Sequence, residues 1–174
     1  MNPAPHVRPA VAGDISRILE IERETEAAAH FAESDYRQAL ASVNPGADVH
    51  RIVLVAEMVA WVQGFLVARL LHEEWEIENV VVEKAARQKG FGASLLRAFL
   101  QSYTRSQYGS EGGGAESKAV FLEVRESNRA ARKLYEKFGF SIAGRRAAYY
   151  RNPHEDAILY RYYFEQDRKR LIIV

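Results

Sequence analysis

RQKGFGASLL (Arg87–Leu96) is the stretch on which the reading of this chain turns. Gly90 and Gly92 stand one residue apart behind Arg87, Gln88 and Lys89, and an apolar run begins straight after them. Upstream, WEIENVVV (Trp75–Val82) is rich in β-branched residues and reads as a strand. Downstream, Leu95, Leu96, Phe99, Leu100 and Tyr103 recur at i, i+1, i+4, i+5 and i+8, the apolar stripe of an amphipathic helix. A strand that turns through glycine into a helix exposes N–H groups without intrahelical partners at the positive end of the helix dipole, where an anion is favoured. Glycine there lets the backbone wrap a phosphate with no Cβ in the way, and Arg87 and Lys89 add positive charge beside it. The competing reading is a tight strand-to-helix turn with no ligand, and the local stretch does not choose between them. It is neither the Walker pattern nor G-x-G-x-x-G.

Composition bounds what the turn can belong to. At 174 residues, 48% hydrophobic and 27% charged, the chain reads as one soluble globular domain. A net charge of +1 makes no global case for direct nucleic-acid contact or an acidic membrane surface. The absence of cysteine removes disulfides, thiolate nucleophiles and Cys-based zinc sites, and suits a reducing cytoplasm. The five histidines lack metal-ligand spacing, so no metal is expected. No apolar run approaches about 18 residues and the N-terminus has no signal-peptide core, so a cytoplasmic protein free of the membrane is expected. A monomer or weak homodimer is expected.

Working outward from the turn, the chain reads as strand, two helices, three strands, helix, strand, helix and two strands. Val7–Val11 is extended, and Asp14 is placed to cap a helix carrying Ile15, Ile18, Ile21 and Leu19. A second helix starts at Ser34 and carries Tyr36 and Leu40; VNPGAD (Val43–Asp48) is a loop. RIVLVAEM (Arg51–Met58) and AWVQGFLVARLL (Ala60–Leu71) are strands, joined without the Asn-Gly or Asp-Gly pair that marks a tight hairpin. Ser106–Ser117 is Gly/Ser-rich and reads as a mobile surface loop. AVFLEV (Ala119–Val124) is a buried strand, Asn128 caps a helix with Ala131, Leu134, Tyr135 and Phe138, and Gly139 ends it. FSIAG (Phe140–Gly144) and EDAILYRYYF (Glu155–Phe164) are the last strands. Strand, crossover helix and strand over 75–124 imply one parallel pairing inside a mixed sheet.

Glu123 interrupts an apolar strand. An unpaired buried carboxylate is costly, so it must be ion-paired with Arg125 or another arginine, or sit where the sheet opens and act as a base. Tyr135 lies on the apolar side of its helix, where core packing is the ordinary role and a buried hydroxyl needs a partner. Glu76 and Glu78 recur at period two and are alternative bases acting through water. With no cysteine and no G-x-S-x-G, direct attack without a covalent enzyme intermediate is the simplest chemistry, much of its rate coming from proximity.

Three segments in order carry a resemblance. RQKGFG matches the R/Q-x-x-G-x-G/A loop of the GNAT N-acetyltransferases; LEVRESNRAARKLYEKFGF (Leu122–Phe140) matches their N-x-x-A-x-x-L-Y-x-x-x-G-F block; AYYRNPHEDAILY (Ala148–Tyr160) is similar to the Tyr-Tyr…Glu-Asp-Ala segment of protein N-terminal acetyltransferases. The chain most resembles the ribosomal-protein-alanine N-acetyltransferase (RimI-type) family, over residues 7 to 162. That resemblance implies an α/β GNAT fold over 1–165 with a tail at 166–174. Its mixed, mostly antiparallel sheet would be flanked by helices and splayed at Val80–Val82 and Phe121–Val124. It implies acetyl-CoA as cosubstrate, its pyrophosphate at Arg87, Gln88, Lys89, Gly90, Phe91, Gly92 and Ala93, its pantetheine along the backbone of Val80, Val81 and Val82, with Asn128 and Tyr135 beside it. Glu123 falls on the family's catalytic glutamate and Tyr135 on its general acid. Tyr149, Tyr150 and Phe31 fall on the acceptor side, and the implied acceptor is a protein N-terminus, of a ribosomal protein in the family's case; a lysine side chain or small-molecule amine on the same machinery, or acetyl-CoA sensing without turnover, are the alternatives. One departure stands out: the family's usual Pro-Trp-Ser reads His30-Phe31-Ala32 here, which leaves fold and cofactor untouched and bears on the acceptor.

Overall fold

The computed structural model describes residues 4–26, 28–41, 50–72, 74–102 and 119–164. The element order is the one the sequence predicts. It runs β1 (His6–Pro9), α1 (Ile15–Arg23), α2 (Glu33–Ala41), β2 (His50–Met58), β3 (Trp61–Leu71) and β4 (Glu74–Val82). Then come α3 (Phe91–Ser102), β5 (Ala119–Arg125), α4 (Arg129–Lys137), β6 (Ser141–Arg151) and β7 (His154–Tyr163). Tyr103, the predicted loops at 43–48 and 106–117 and the tail at 166–174 lie outside the described residues.

The strands form one sheet in the order β1-β2-β3-β4-β5-β7-β6. All neighbours are antiparallel except β4 and β5, which run parallel across the α3 crossover. Two apolar clusters cover it. One packs α3 and α4 on the sheet through Phe91, Leu95, Phe99 and Tyr135. The other packs α1 and α2 through Ile15, Ile18, Ile21 and Tyr36 against Val53, Val55, Phe65 and Val67. Each fully buried aliphatic or aromatic side chain contributes about 1.5–3 kcal/mol, so these stripes set the layers.

β4 belongs to both clusters. Its pairing with β3 runs Val67↔Asn79 and then Ala68↔Ile77, so Glu78 is an extra residue, a β-bulge. Trp75 and Ile77 enter the α3 cluster, whereas Val81 enters the α1 cluster and Val80 and Val82 pack towards α3. Buried residues still alternate along 75–81, and that regular period conceals the change of face.

Two local expectations are corrected. Asp14 does precede α1, but its side chain makes no capping bond. It accepts instead from Arg8 Nη1 and Nη2 at 2.7 and 3.0 Å and from the Val11 amide at 2.8 Å, because the half-buried guanidinium of Arg8 needs an anion. That guanidinium holds the Asp14 carboxyl below the ordinary carboxylate range. The β2–β3 connection is a two-residue hairpin after all. Met58 pairs with Trp61, and Val59 and Ala60 both take left-handed φ values, 53° and 58°. Left-handed backbone costs an L-residue with a Cβ about 1–2 kcal/mol. Val59 is 95% exposed and gives up no packing on replacement. The double substitution Val59→Asn, Ala60→Gly is therefore expected to raise the free energy of unfolding by about 1 kcal/mol. An unmoved or lowered midpoint in urea unfolding would contradict this.

Candidate active site

β4 and β5 pair only from Glu74↔Ala119 to Ile77↔Leu122. Beyond those residues the strands part, so the opening begins at Glu78, the bulged residue, and at Glu123. Phe121 and Leu122, predicted to lie in the splay, remain paired. The gap is a cleft of about 390 Å³. Its lining includes Val80 of β4, Glu123 and Arg125 of β5, Asn128 and Tyr135, Tyr149 and Tyr150, and Ala28, Ala29 and Phe31 from the α1–α2 connection. An unpaired strand edge inside a cleft offers backbone N–H and C=O groups to an extended amide ligand.

Tyr135 stands on α4 with its ring packed 5.8 Å from Phe140 and 6.1 Å from Tyr160. It is 7% exposed, and among the described residues its hydroxyl has no hydrogen-bond partner. Burial, helped by the neighbouring Tyr150, pushes this phenol above its ordinary value, so it is protonated at neutral pH. A protonated, uncommitted hydroxyl facing the cleft is a proton donor in waiting. Asn128 caps α4 as predicted, its Oδ1 accepting from the Ala131 amide at 3.1 Å.

Glu123 is satisfied by Arg146, not by Arg125. Arg146 Nη1 donates to Glu123 Oε1 at 2.6 Å, while Arg125 pairs with Glu155 and stacks 4.1 Å from the Tyr150 ring. The Tyr149 hydroxyl also reaches Glu123, and this contact and burial push that phenol up. Tyr149 and Tyr150 are not on a loop. They sit on β6 at a register shift between Arg146 and Tyr150, where Ala148 takes φ 53° and its amide donates to Asp156 Oδ1 at 2.8 Å. Asp156 also accepts from Arg145 at 2.6 Å and so fixes the bulge that turns both tyrosines to the cleft. Glu76 is held by Arg69 at 2.6 Å and Glu78 by Arg51 at 2.7 Å, which commits both alternative bases to ion pairs.

The glycine turn opens α3 at Phe91. Gly90 has φ +90° and Gln88 φ 62°, a left-handed turn, and Arg87 Nε donates to the Val82 carbonyl at 3.1 Å, joining the turn to the end of β4. Gly90 has open space where a Cβ would stand, whereas a Cβ on Gly92 would come within 3.1 Å of Leu134 Cδ2. Gly92 thus lets α3 lie tightly against Leu134 of α4, which would have to give by a few tenths of an ångström to admit a Cβ, whatever else the turn holds. Phe91 is buried beneath it, and the amides of Phe91, Gly92 and Ala93 head the helix, where intrahelical partners are lacking.

Comparison with known proteins decides what these features have in common. Residues 15–140 match the Acetyltransferase (GNAT) family. The chain belongs to that family. A Bacillus subtilis relative, whose name places it with the ribosomal protein bS18-alanine N-acetyltransferases, is 27% identical over 146 residues, 84% of this chain and 87% of the relative. The Salmonella typhimurium ribosomal protein bS18-alanine N-acetyltransferase is 33% identical over 101 residues, 55% of this chain and 60% of its own length. The crystal structure of the Escherichia coli ribosomal-protein-S18-alanine N-acetyltransferase superposes with TM-score 0.71 at 22% identity, covering 90% of this chain and 92% of that one. The fold is the GNAT fold, and the chain is an N-acetyltransferase.

Within the GNAT frame, the structure gathers Glu123, Tyr135, Asn128, Val80, Phe31, Tyr149 and Tyr150 around one cleft. Sequence reasoning passed over Glu22, Asn79, Arg146 and Asp156. Glu22 carried a signal: it follows Ile15 and Ile18 at i+7 and i+4, on the buried stripe of α1. Among the described residues no helix is long and apolar enough to cross a membrane, and no group of three His, Cys, Asp or Glu stands ready for a metal.

Proposed function

We propose that this enzyme transfers the acetyl group of acetyl-CoA to the N-terminal α-amine of a protein by direct attack on the thioester. The observation that carries the reading is the cleft itself. It places a carboxylate, Glu123, and a protonated phenol, Tyr135, whose hydroxyl has no partner among the described residues, beside an unpaired strand edge. The glycine turn stands at the far end of that strand. Acetyl-CoA would lie with its pyrophosphate on Arg87–Ala93 and its pantetheine along Val80–Val82. Glu123, directly or through a water, would take the proton of the attacking amine, and Tyr135 would return one to the departing thiolate. Phe31, Tyr149 and Tyr150 would face the acceptor, a ribosomal protein being the kind of substrate the relatives' names suggest. We place the activity in the cytoplasm, in a single domain over 1–165.

The chemistry of the amine favours an α-amine. Only the neutral form attacks, and an α-amine at about pKa 7.7–8.0 gives up its proton with roughly 3.4 kcal/mol less work than lysine near 10.4. The test is CoA release over peptides differing in their first two residues, alongside Nα-blocked peptides with internal lysines. Free peptides beginning with Ala or Ser are expected to be preferred. Equal rates on blocked peptides would move the acceptor to a lysine side chain or another amine.

The cofactor end has its own test. Gly92→Asp sets a carboxylate against the phosphates, while Gly92→Ala reproduces the crowding of Leu134 without the charge. Acetyl-CoA affinity, read by calorimetry, is expected to be at least about tenfold weaker for Gly92→Asp than for Gly92→Ala, roughly 1.4 kcal/mol. Equal affinities would leave the turn a purely structural element.

A further inference from the structure

Glu22 is 2% exposed and Asn79 7%. Among the described residues no cation bonds the Glu22 carboxylate, and three neutral donors hold it. Its Oε1 accepts from the Tyr36 hydroxyl at 2.7 Å and from Asn79 Nδ2 at 3.3 Å, and its Oε2 from the Phe31 amide at 3.3 Å. Asn79 Nδ2 donates also to the Ala29 carbonyl, at 2.8 Å. Burial pushes the Glu22 acid up, with His30 acting against it only through space. A buried carboxylate without a cation is an expensive way to fill a position on the apolar stripe of α1, where isoleucine serves its neighbours.

The bonds share a destination. Two of the four end on the backbone of Ala29 and Phe31, in the α1–α2 connection that lines the cleft beside β4. Asn79 is the residue between the Glu78 bulge and Val80, so the connection is tied to β4 where that strand leaves β5. Phe31 is fixed in its ring as well as its backbone, edge-on to Tyr36 at 5.9 Å and 5.4 Å from the Arg51 guanidinium. It lines both the cleft and a second, half-open hollow of about 480 Å³ beside α1 and α2, and is the residue the two linings have in common.

We infer that Glu22 and Asn79 are positioning residues for the acceptor: they hold Phe31 as a wall that limits the size of the acceptor's first side chain. This rests on the proposed function. With the wall released, the cleft opens towards the second hollow, small first residues lose a fitted contact and bulky ones gain room.

Two variants and two readouts test it. Glu22→Gln keeps an oxygen for Tyr36 and Asn79 but turns an N–H₂ towards the Phe31 amide, donor against donor. Asn79→Ala removes the bonds to Ala29 and to Glu22 while leaving the sequence of α1 unchanged, and carries the same expectation should the first variant fold poorly. Hydrogen exchange is expected to be at least about tenfold faster at residues 28–32 in either variant, with α3 unchanged. In peptide assays the KM for an Ala-initiated acceptor is expected to rise at least about fivefold. Preference for Ala over Leu or Phe at the first position should fall at least about fivefold, and acetyl-CoA affinity should stay within about twofold. Unchanged exchange, or a fall in melting temperature with the first-residue preference intact, overturns the inference alone. A wild type that turns over no free-N-terminus peptide overturns the proposed function together with the acceptor role built on it.

Discussion

Tyr135→Phe is expected to lower kcat by roughly 10²-fold or more while leaving the melting temperature where it was. Both halves follow from the surroundings of the residue. The ring packs on Phe140 and Tyr160, and phenylalanine keeps that packing. The hydroxyl bonds nothing among the described residues, so its removal strands no buried partner and costs the fold little. What is lost is a proton held in a buried place that keeps the phenol protonated. In the proposed reaction that proton goes to the CoA thiolate as the C–S bond breaks. Some loss of acetyl-CoA affinity is tolerable, since the hydroxyl would lie near the sulfur. Steady-state CoA release and a thermal melt decide the matter. An active Tyr135→Phe enzyme would leave leaving-group protonation to water, and an inactive, unstable one would make Tyr135 a packing residue.

Glu123→Gln is expected to cause a loss of the same order in kcat, with acetyl-CoA affinity little changed. Loss alone would be ambiguous, because Glu123 also anchors Arg146, and through it the β6 bulge that carries Tyr149 and Tyr150. The companion variant separates the two roles. Arg146→Ala removes the anchor and keeps the carboxylate. If Glu123 is the base, Arg146→Ala retains most of kcat and shifts acceptor KM. If Glu123 serves only as an anchor, both variants lose kcat alike. A fully active Glu123→Gln would move the base to Glu76, Glu78 or solvent; the first two are ion-paired with Arg69 and Arg51, as Glu123 is with Arg146.

Local, periodic features were legible in the chain, and those fixed by distant partners were not. Asn128 as a cap, Gly139 as a stop and the apolar stripe of α3 are decided within a few residues, and each stands where the pattern puts it. The three motifs, in order, identified the family from the chain alone. The Met58–Trp61 hairpin escaped because Val59 and Ala60 adopt backbone angles that their side chains disfavour, so no residue type announces the turn. Asp14 was misread because a carboxylate before a helix is an N-cap unless a cation competes for it, and Arg8 sits six residues away. The chain leaves the partner of Glu123 open between the nearby Arg125 and another arginine, and only the pairing of the strands selects Arg146, 23 positions downstream. The network of Glu22, Asn79 and Phe31 spans 57 positions of sequence, and only folding brings it together.

The extra residue in β4 has a thermodynamic consequence. Because Glu78 turns the strand over, one continuous segment is wall to both apolar clusters, and neither helical layer can be lost without disturbing the other. In the proposed reading acetyl-CoA rests on Val80–Val82 and the mouth of α3 and never touches α1. Its binding energy would still be felt there. A ligand at a hundred times its Kd adds about 2.7 kcal/mol to the folded state, and a shared strand passes that increment to the α1–α2 layer as rarer global opening. Loading the donor would thereby protect against unfolding a layer that the donor itself is not proposed to contact.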